Sequence, residues 1–249
     1  MYHSTLHFDP PSLTYNLPGL DKHMAIPAEH SKPYLKEYAI ITGGDSGIGQ
    51  TATIFFAREG ADIRELEPNA KSLKSEITKN SSTKIRLLPI DLTTQGAAQK
   101  ILSAHLDKFG ALDILVNTSK QIMSFGIEEL KDENILSTFQ TNIIQMMQLT
   151  REPVPRMKCG AAIINTLSVV AYKKHCVQTL PAQRLGAITM FMRSLATQLA
   201  SKGIHVNAGW GVGQPAEIRE AYVVLTGPGG DYITGTVIHV NGGVHIGGA

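Results

Sequence analysis

The residues with the clearest chemical spacing form a glycine-rich loop, Thr42-Gly43-Gly44-Asp45-Ser46-Gly47-Ile48-Gly49. It follows a short apolar run, Tyr38–Thr42, and opens a helical pattern, Gly47–Glu59. Glycines in that strand–turn–helix context allow a tight turn and let backbone approach a pyrophosphate. The free N–H groups and positive dipole end of the helix then face that anion. The alternative is a tight turn with no ligand. A second stretch, Tyr172-Lys173-Lys174-His175-Cys176, is either a relocated acid/base, with Tyr172 or His175 carrying the proton, or an exposed polar loop. His205 and His239 fall on strand-like runs and are expected to be hydrogen-bonded structural residues. Trp210 either covers core or floors an open pocket, and the pair Met146-Met147 reads as core. Cys159 and Cys176 match neither a disulfide framework nor a metal spacing, so free thiols and no metal site are expected.

These residues need a scaffold, and the hydropathy pattern predicts one. Strands are expected at Tyr38–Thr42, Ile85–Ile90, Leu112–Asn117, Ala162–Leu167, Ile204–Asn207 and Thr236–Val240. Helices are expected at Gly47–Glu59, Thr94–Phe109, Asn134–Arg151, Pro181–Ser201 and Pro215–Thr226. Alternation of buried apolar strands with helices implies an α/β class with a doubly wound parallel sheet. The second strand is weak: Ala61–Glu67 is short and charged, so it is truncated or sits near a sheet edge. Residues 1–36 carry Pro10, Pro11, Pro18, Pro27 and Pro33 and read as an extended arm, leaving 37–249 as one domain. A net charge of +2 is too small to imply nucleic acid or an anionic membrane as partner. No run has signal-peptide or membrane-span character, so a cytoplasmic protein is expected.

From about Tyr38 to Gly243 the chain resembles the short-chain dehydrogenase/reductase family, in the branch with an N-terminal arm and a Gly-Gly-Asp-Ser-Gly-Ile-Gly loop. Further matching stretches are Phe56–Asp62, Leu112–Asn117, Ala162–Thr166, Arg193–Ala196, Tyr232–Gly235 and His239–Gly243. The resemblance implies a single Rossmann domain and NAD or NADP as cofactor. Gly43, Asp45, Ser46, Gly47, Ile48 and Gly49 would hold it at the pyrophosphate, Asp91 and Leu92 at the adenine, and Asn117 where the family's Asn-Asn-Ala-Gly begins. Asp91 can also serve as N-cap of the following helix. Arg64 lies where a 2′-phosphate would sit, but beside so altered a strand it is expected as a solvated charge.

The family's chemistry uses an Asn, a Ser, a Tyr and a Lys. Asn142 and Ser168 match the first two, a remnant catalytic pair. The tyrosine and lysine positions hold Pro181 and Leu185, and the chain contains no Tyr-x-x-x-Lys. Proline carries no proton, and leucine neither lowers a phenol pKa nor grips a ribose; loss of a general acid costs a factor of ~10²–10⁴. The family's Asn-Asn-Ala-Gly is Asn117-Thr118-Ser119-Lys120, and Asn207–Gly213 runs almost directly into Gln214-Pro215, so the substrate lid is shortened by resemblance. The adenosine half of a cofactor site is kept while the nicotinamide half is altered. The expected protein is therefore an oxidoreductase by descent with hydride transfer weak or absent. The alternatives are a non-redox enzyme (isomerisation, dehydration or cyclisation) in an open pocket, a non-catalytic cofactor-binding or scaffold subunit, or a misassigned coding sequence around Pro181–Leu185. A small-molecule ligand is possible, and the resemblance implies a dimer or tetramer joined through the helices near 134–151 and 181–201.

Overall fold

Apolar residues that alternate across short strands decide the architecture. The computed structural model describes residues 37–44, 47–65, 83–118, 126–167, 179–211 and 217–243; the expected arm 1–36 lies outside them. The strands are β1 (Tyr38–Ile41), β2 (Asp62–Glu65), β3 (Ile85–Leu87), β4 (Ile114–Asn117), β5 (Ala162–Thr166), β6 (His205–Gly211) and β7 (Val237–Val240). The helices are α1 (Gly47–Arg58), α2 (Ala97–Phe109), α3 (Asp132–Phe139), α4 (Gln145–Arg151), α5 (Thr179–Leu199) and α6 (Arg219–Thr226). The strands form one parallel sheet in the order β3-β2-β1-β4-β5-β6-β7. This is the doubly wound α/β domain expected from the alternation of elements.

Both faces of the sheet are covered. Ile40, Leu115, Ile163 and Val206 are register partners and form a row in one core. Residues of α2, α4 and α5, among them Ile101, Leu149 and Met192, pack into the same core. Ile41, Val116 and Ile164 form the next row and point to the other face, where Phe56 of α1 and Tyr222 of α6 close over them. Fully burying one such side chain contributes roughly 1.5–3 kcal/mol. Two rows on opposite faces therefore help to pin the register, because a one-residue slip would set each row against the wrong core.

The structure departs from the sequence pattern in several places, among them β3, which ends at Leu87 and not Ile90. The helix expected over Asn134–Arg151 is interrupted: residues Gln140–Ile144 form a π turn between α3 and α4. β6 runs on to Gly211, because Gly209 can lie against the ring of Tyr222; a Cβ there would stand 2.5 Å from Tyr222 Cε1. Met147, expected in the core with Met146, is 37% exposed. The weak second strand is short and lies next to the edge strand β3. Among the described residues no helix is long and apolar enough to cross a membrane, and no metal-binding cluster occurs. Cys159 is a free, exposed thiol, and Cys176 lies outside the described residues.

At the amino edge of the sheet two groups titrate abnormally. Burial, reinforced by the carboxylates of Asp113 and Asp231, pushes Glu37 up to about 7. Burial and the charge of Arg64 push His105 down to about 4, and its Nε2 bonds to the Ala111 carbonyl at 2.9 Å. A raised carboxylate favours folding below its ordinary pKa and loses that contribution as pH rises to 7. A lowered histidine does the reverse below its ordinary pKa. E37Q should therefore stabilise the protein at pH 8 by about 1–2 kcal/mol, allowing for solvent screening of a half-buried group, with little effect at pH 4.5. Urea denaturation of both proteins at the two pH values measures this; a difference that does not change with pH would refute it.

Candidate functional site

The crevice lies where the strand order reverses, between the carboxyl ends of β1 and β4. Doubly wound sheets bind ligands at such a switch point. β1 ends at Ile41 and α1 begins at Gly47. Gly43 and Gly47 have φ of +62° and +51°, in the left-handed region that favours glycine. A Cβ on Gly49 would stand 2.1 Å from the Gly43 carbonyl oxygen, so the loop folds back onto the first turn of α1. Thr53 Oγ1 donates to the Gly49 carbonyl at 2.9 Å and steadies that turn. Nothing lies within 4 Å of where a Gly47 Cβ would stand. The first turn of α1 carries no acidic side chain to offset its dipole. This cradle fits the pyrophosphate of a dinucleotide. Ile48 is half-buried and packs into the core below; Asp45 and Ser46 lie outside the described residues.

Two threonines close the root of the crevice. The Thr118 N–H donates to Thr42 Oγ1 at 2.8 Å, and the Thr118 hydroxyl donates to the Thr42 carbonyl. The Thr118 hydroxyl oxygen would be 2.6 Å from a Cβ on Gly43. Sequence reasoning saw Thr118 only as a departure from a motif; the signal was that Thr42 and Thr118 end neighbouring parallel strands. Asn117 is buried, and its Nδ2 donates to Asn165 Oδ1 on β5 and Thr150 Oγ1 on α4, both at 3.1 Å. Its side chain ties the sheet to α4 inside the protein.

On the adenosine side, Asp91 is exposed after β3. Its Oδ1 accepts from the Thr93 N–H at 2.8 Å and the Thr93 hydroxyl at 2.7 Å. It caps a turn, whereas the N-cap of α2 is Gly96. Leu92 is half-buried against the core. Arg64 is not a solvated charge: it is 6% exposed, and its Nη2 donates to the Ala104 carbonyl at 2.7 Å. It also lies 5.8 Å from the Phe109 ring centroid. Strand alternation turns it onto the face covered by α2, and burial lowers its pKa.

The proton-handling side is described in part. Asn142 is buried in the π turn, where its Nδ2 donates to the Thr138 carbonyl at 3.1 Å. That carbonyl is the one a regular helix would offer to the Asn142 N–H, so the side-chain bond accompanies a ladder that has slipped by one residue. Ser168 and Tyr172–Cys176 lie outside the described residues. α5 begins at Thr179, two residues ahead of the start expected at Pro181. Proline fits there because the first N–H groups of a helix have no intrahelical partner. Pro181 and Leu185 lie one turn apart on this helix. Tyr222 is fully buried and hydrogen-bonded to Thr166 at 2.8 Å, and burial drives its phenol further from ionisation. It cannot replace an exposed acid. Only residues 212–218 separate β6 from α6, too few for a helical lid.

Comparisons with known proteins agree with this geometry. The sequence pattern of the short chain dehydrogenase family matches residues 37–210. The chain is 36% identical over 269 residues to the uncharacterized oxidoreductase YhdF of Bacillus subtilis (strain 168), covering 92% of this chain and 93% of that one. It is 30% identical over 284 residues to the glucose and ribitol dehydrogenase of Daucus carota, covering 96% and 98% of the two chains. In fold it is similar to a short chain dehydrogenase from Burkholderia cenocepacia solved with NADP. The TM-score is 0.80 at 20% identity, over 85% of this chain and 99% of that chain.

Two glycine substitutions separate loop contact from helix propensity. G49A must displace the Gly43 backbone and is expected to destabilise by about 1–3 kcal/mol, as overpacking does. G186A lies on α5, with nothing within 4 Å of its added Cβ, and should stabilise by about 0.5–1 kcal/mol. Chemical denaturation reads both; equal effects would contradict the close approach at Gly49.

Proposed function

The chain belongs to the short chain dehydrogenase family, and on that premise we propose that it binds NAD or NADP by the adenosine and pyrophosphate half but performs carbonyl–alcohol hydride transfer weakly or not at all. The observation that carries this is in the sequence: by the family resemblance Pro181 and Leu185 occupy the tyrosine and lysine positions, and both fall within α5. Gly43–Gly49, Asp91 and Leu92 would hold the cofactor, which supplies a hydride carrier when bound. Reduction of a carbonyl also needs a proton at its oxygen, and the family's phenol–ammonium pair for delivering it is absent. Asn142 and Ser168 remain as polar groups of that half-site. The short connection between β6 and α6 supports the reading that the family's helical cover, which excludes water, is missing.

Against a panel of aldehydes and ketones with NADH and NADPH, turnover is expected to fall roughly 10²–10⁴-fold below ordinary enzyme rates. Isothermal calorimetry should still detect ADP-ribose. Ordinary turnover would overturn the catalytic part of the proposal, and no ADP-ribose binding at millimolar concentration would overturn the binding part.

We also propose that a second copy of the chain covers the face formed by α3, α4 and α5. Leu136 of α3 and Met190 of α5 are 70% and 63% exposed, and Ile144 of the π turn and Met147 of α4 are exposed as well. Large apolar side chains grouped on one surface mark an association site. Sedimentation velocity is expected to show a dimer or tetramer that L136E/M190E converts to monomer; an unaltered chain that sediments as a monomer at micromolar concentration would exclude this face as the contact.

A further inference from the structure

We infer that Thr118 is a positioning residue for Gly43: its hydroxyl latches the end of β1 so that the Gly43 backbone is set for a pyrophosphate before any ligand arrives. This rests on the reading above that the loop binds the pyrophosphate of an adenine dinucleotide. Three observations converge on the residue. The Thr118 hydroxyl donates to the Thr42 carbonyl, the last backbone acceptor before Gly43. The Thr118 N–H donates to the Thr42 hydroxyl at 2.8 Å, so each threonine holds the other. The Thr118 oxygen also occupies the space beside Gly43, 2.6 Å from where a Cβ would stand. Gly43 is therefore confined from two sides, by its own φ of +62° and by the side chain across the crevice.

The pair spans the switch point itself, since β1 and β4 are register neighbours through Ile41 and Val116. Thr42 Oγ1 also lies 3.4 Å from the Val116 carbonyl, which adds a weaker tie to the same strand. Backbone held in this way at Thr42 and Gly43 loses less conformational freedom when an anion binds, and such pre-ordering raises affinity without any contact to the ligand. Thr118 thus acts through Gly43 and touches no reacting atom.

T118V keeps the shape of the side chain but removes the donor, leaving the Thr42 carbonyl without that partner. ADP-ribose binding by calorimetry is expected to weaken about tenfold, the scale of one lost buried hydrogen bond. T118S keeps the hydroxyl and should restore the parent affinity. Adenosine, which lacks the pyrophosphate, should bind all three proteins alike by saturation-transfer NMR. T118V that binds ADP-ribose as the parent does would overturn the inference while leaving the dinucleotide reading intact. A matched loss of adenosine and ADP-ribose binding, with a lowered melting temperature, would make the role merely structural and overturn it as well. If the parent itself does not bind ADP-ribose, the reading fails and the inference with it. If T118V does not fold, T118A takes its place with the same expected results.

Discussion

The carbonyl oxygen of Gly43 occupies the space that a side chain on Gly49 would need. That contact lets the chain leave β1, turn back on itself and enter α1 within a few residues. Once the turn is fixed, the placement of α1 over the sheet follows. Phe56 then lies in the core shared with Ile41, Val116 and Ile164, and α6 packs beside it through Tyr222. β1 lies inside the sheet between β2 and β4, so its end is held by register on both sides. A larger residue at the turn would disturb the strand end, the helix start and the mouth of the crevice together.

Polar side chains fix the carboxyl edge where backbone ladders run out. Asn117 and Asn165 are register partners on β4 and β5, bonded to each other and to α4. Thr166 and Tyr222 tie the end of β5 to α6, and at the opposite edge, ahead of β7, Asn207 ties β6 to the Ile233–Thr236 segment through the Ile233 carbonyl and the Thr236 N–H. The net value of a hydrogen bond is modest, but an unmade bond in a buried site is costly. Such ties therefore select one arrangement of strand ends more than they add stability. Asn117 Oδ1 and Asn165 Nδ2 remain buried without a partner, so the selection at this pair carries a cost.

The fold was legible because its determinants are local and periodic. Apolar runs marked every strand but β2, whose short charged run Ala61–Glu67 was read as a weak strand, and the glycine loop was recognisable from its spacing in a strand–turn–helix context. Misreadings arose where one tertiary contact outweighed the local pattern. Arg64 read as solvated because β2 is charged, yet the face it points to is covered by α2. The end of β6 read as loop because glycines there suggest a turn, but the ring of Tyr222 requires a residue without a side chain at Gly209. The π turn at Asn142 leaves no mark in hydropathy, since an inserted residue preserves the apolar faces of α3 and α4 on either side. Of the candidate site, the glycine turn between β1 and α1 was legible and the Thr42–Thr118 hydrogen bonds were not, because such bonds depend on which strands become neighbours.

The demands of folding and of chemistry fall on different atoms of α5. A helix leaves its first N–H groups without partners, so Pro181 in the first turn removes a donor that no helical bond uses. The core face of the same helix is carried further along by Ile188, Met192, Ala196 and Leu199, all buried. Neither condition mentions the proton that a carbonyl needs on reduction or the cation that would lower a phenol's pKa. The cradle at Gly43–Gly49 is different, because there the same glycines serve the fold and would serve the ligand. A chain of this design can lose its acid and its lysine and still fold, whereas it cannot lose the loop without disturbing β1 and α1. The half-kept site that we propose would follow from that difference in mechanical coupling.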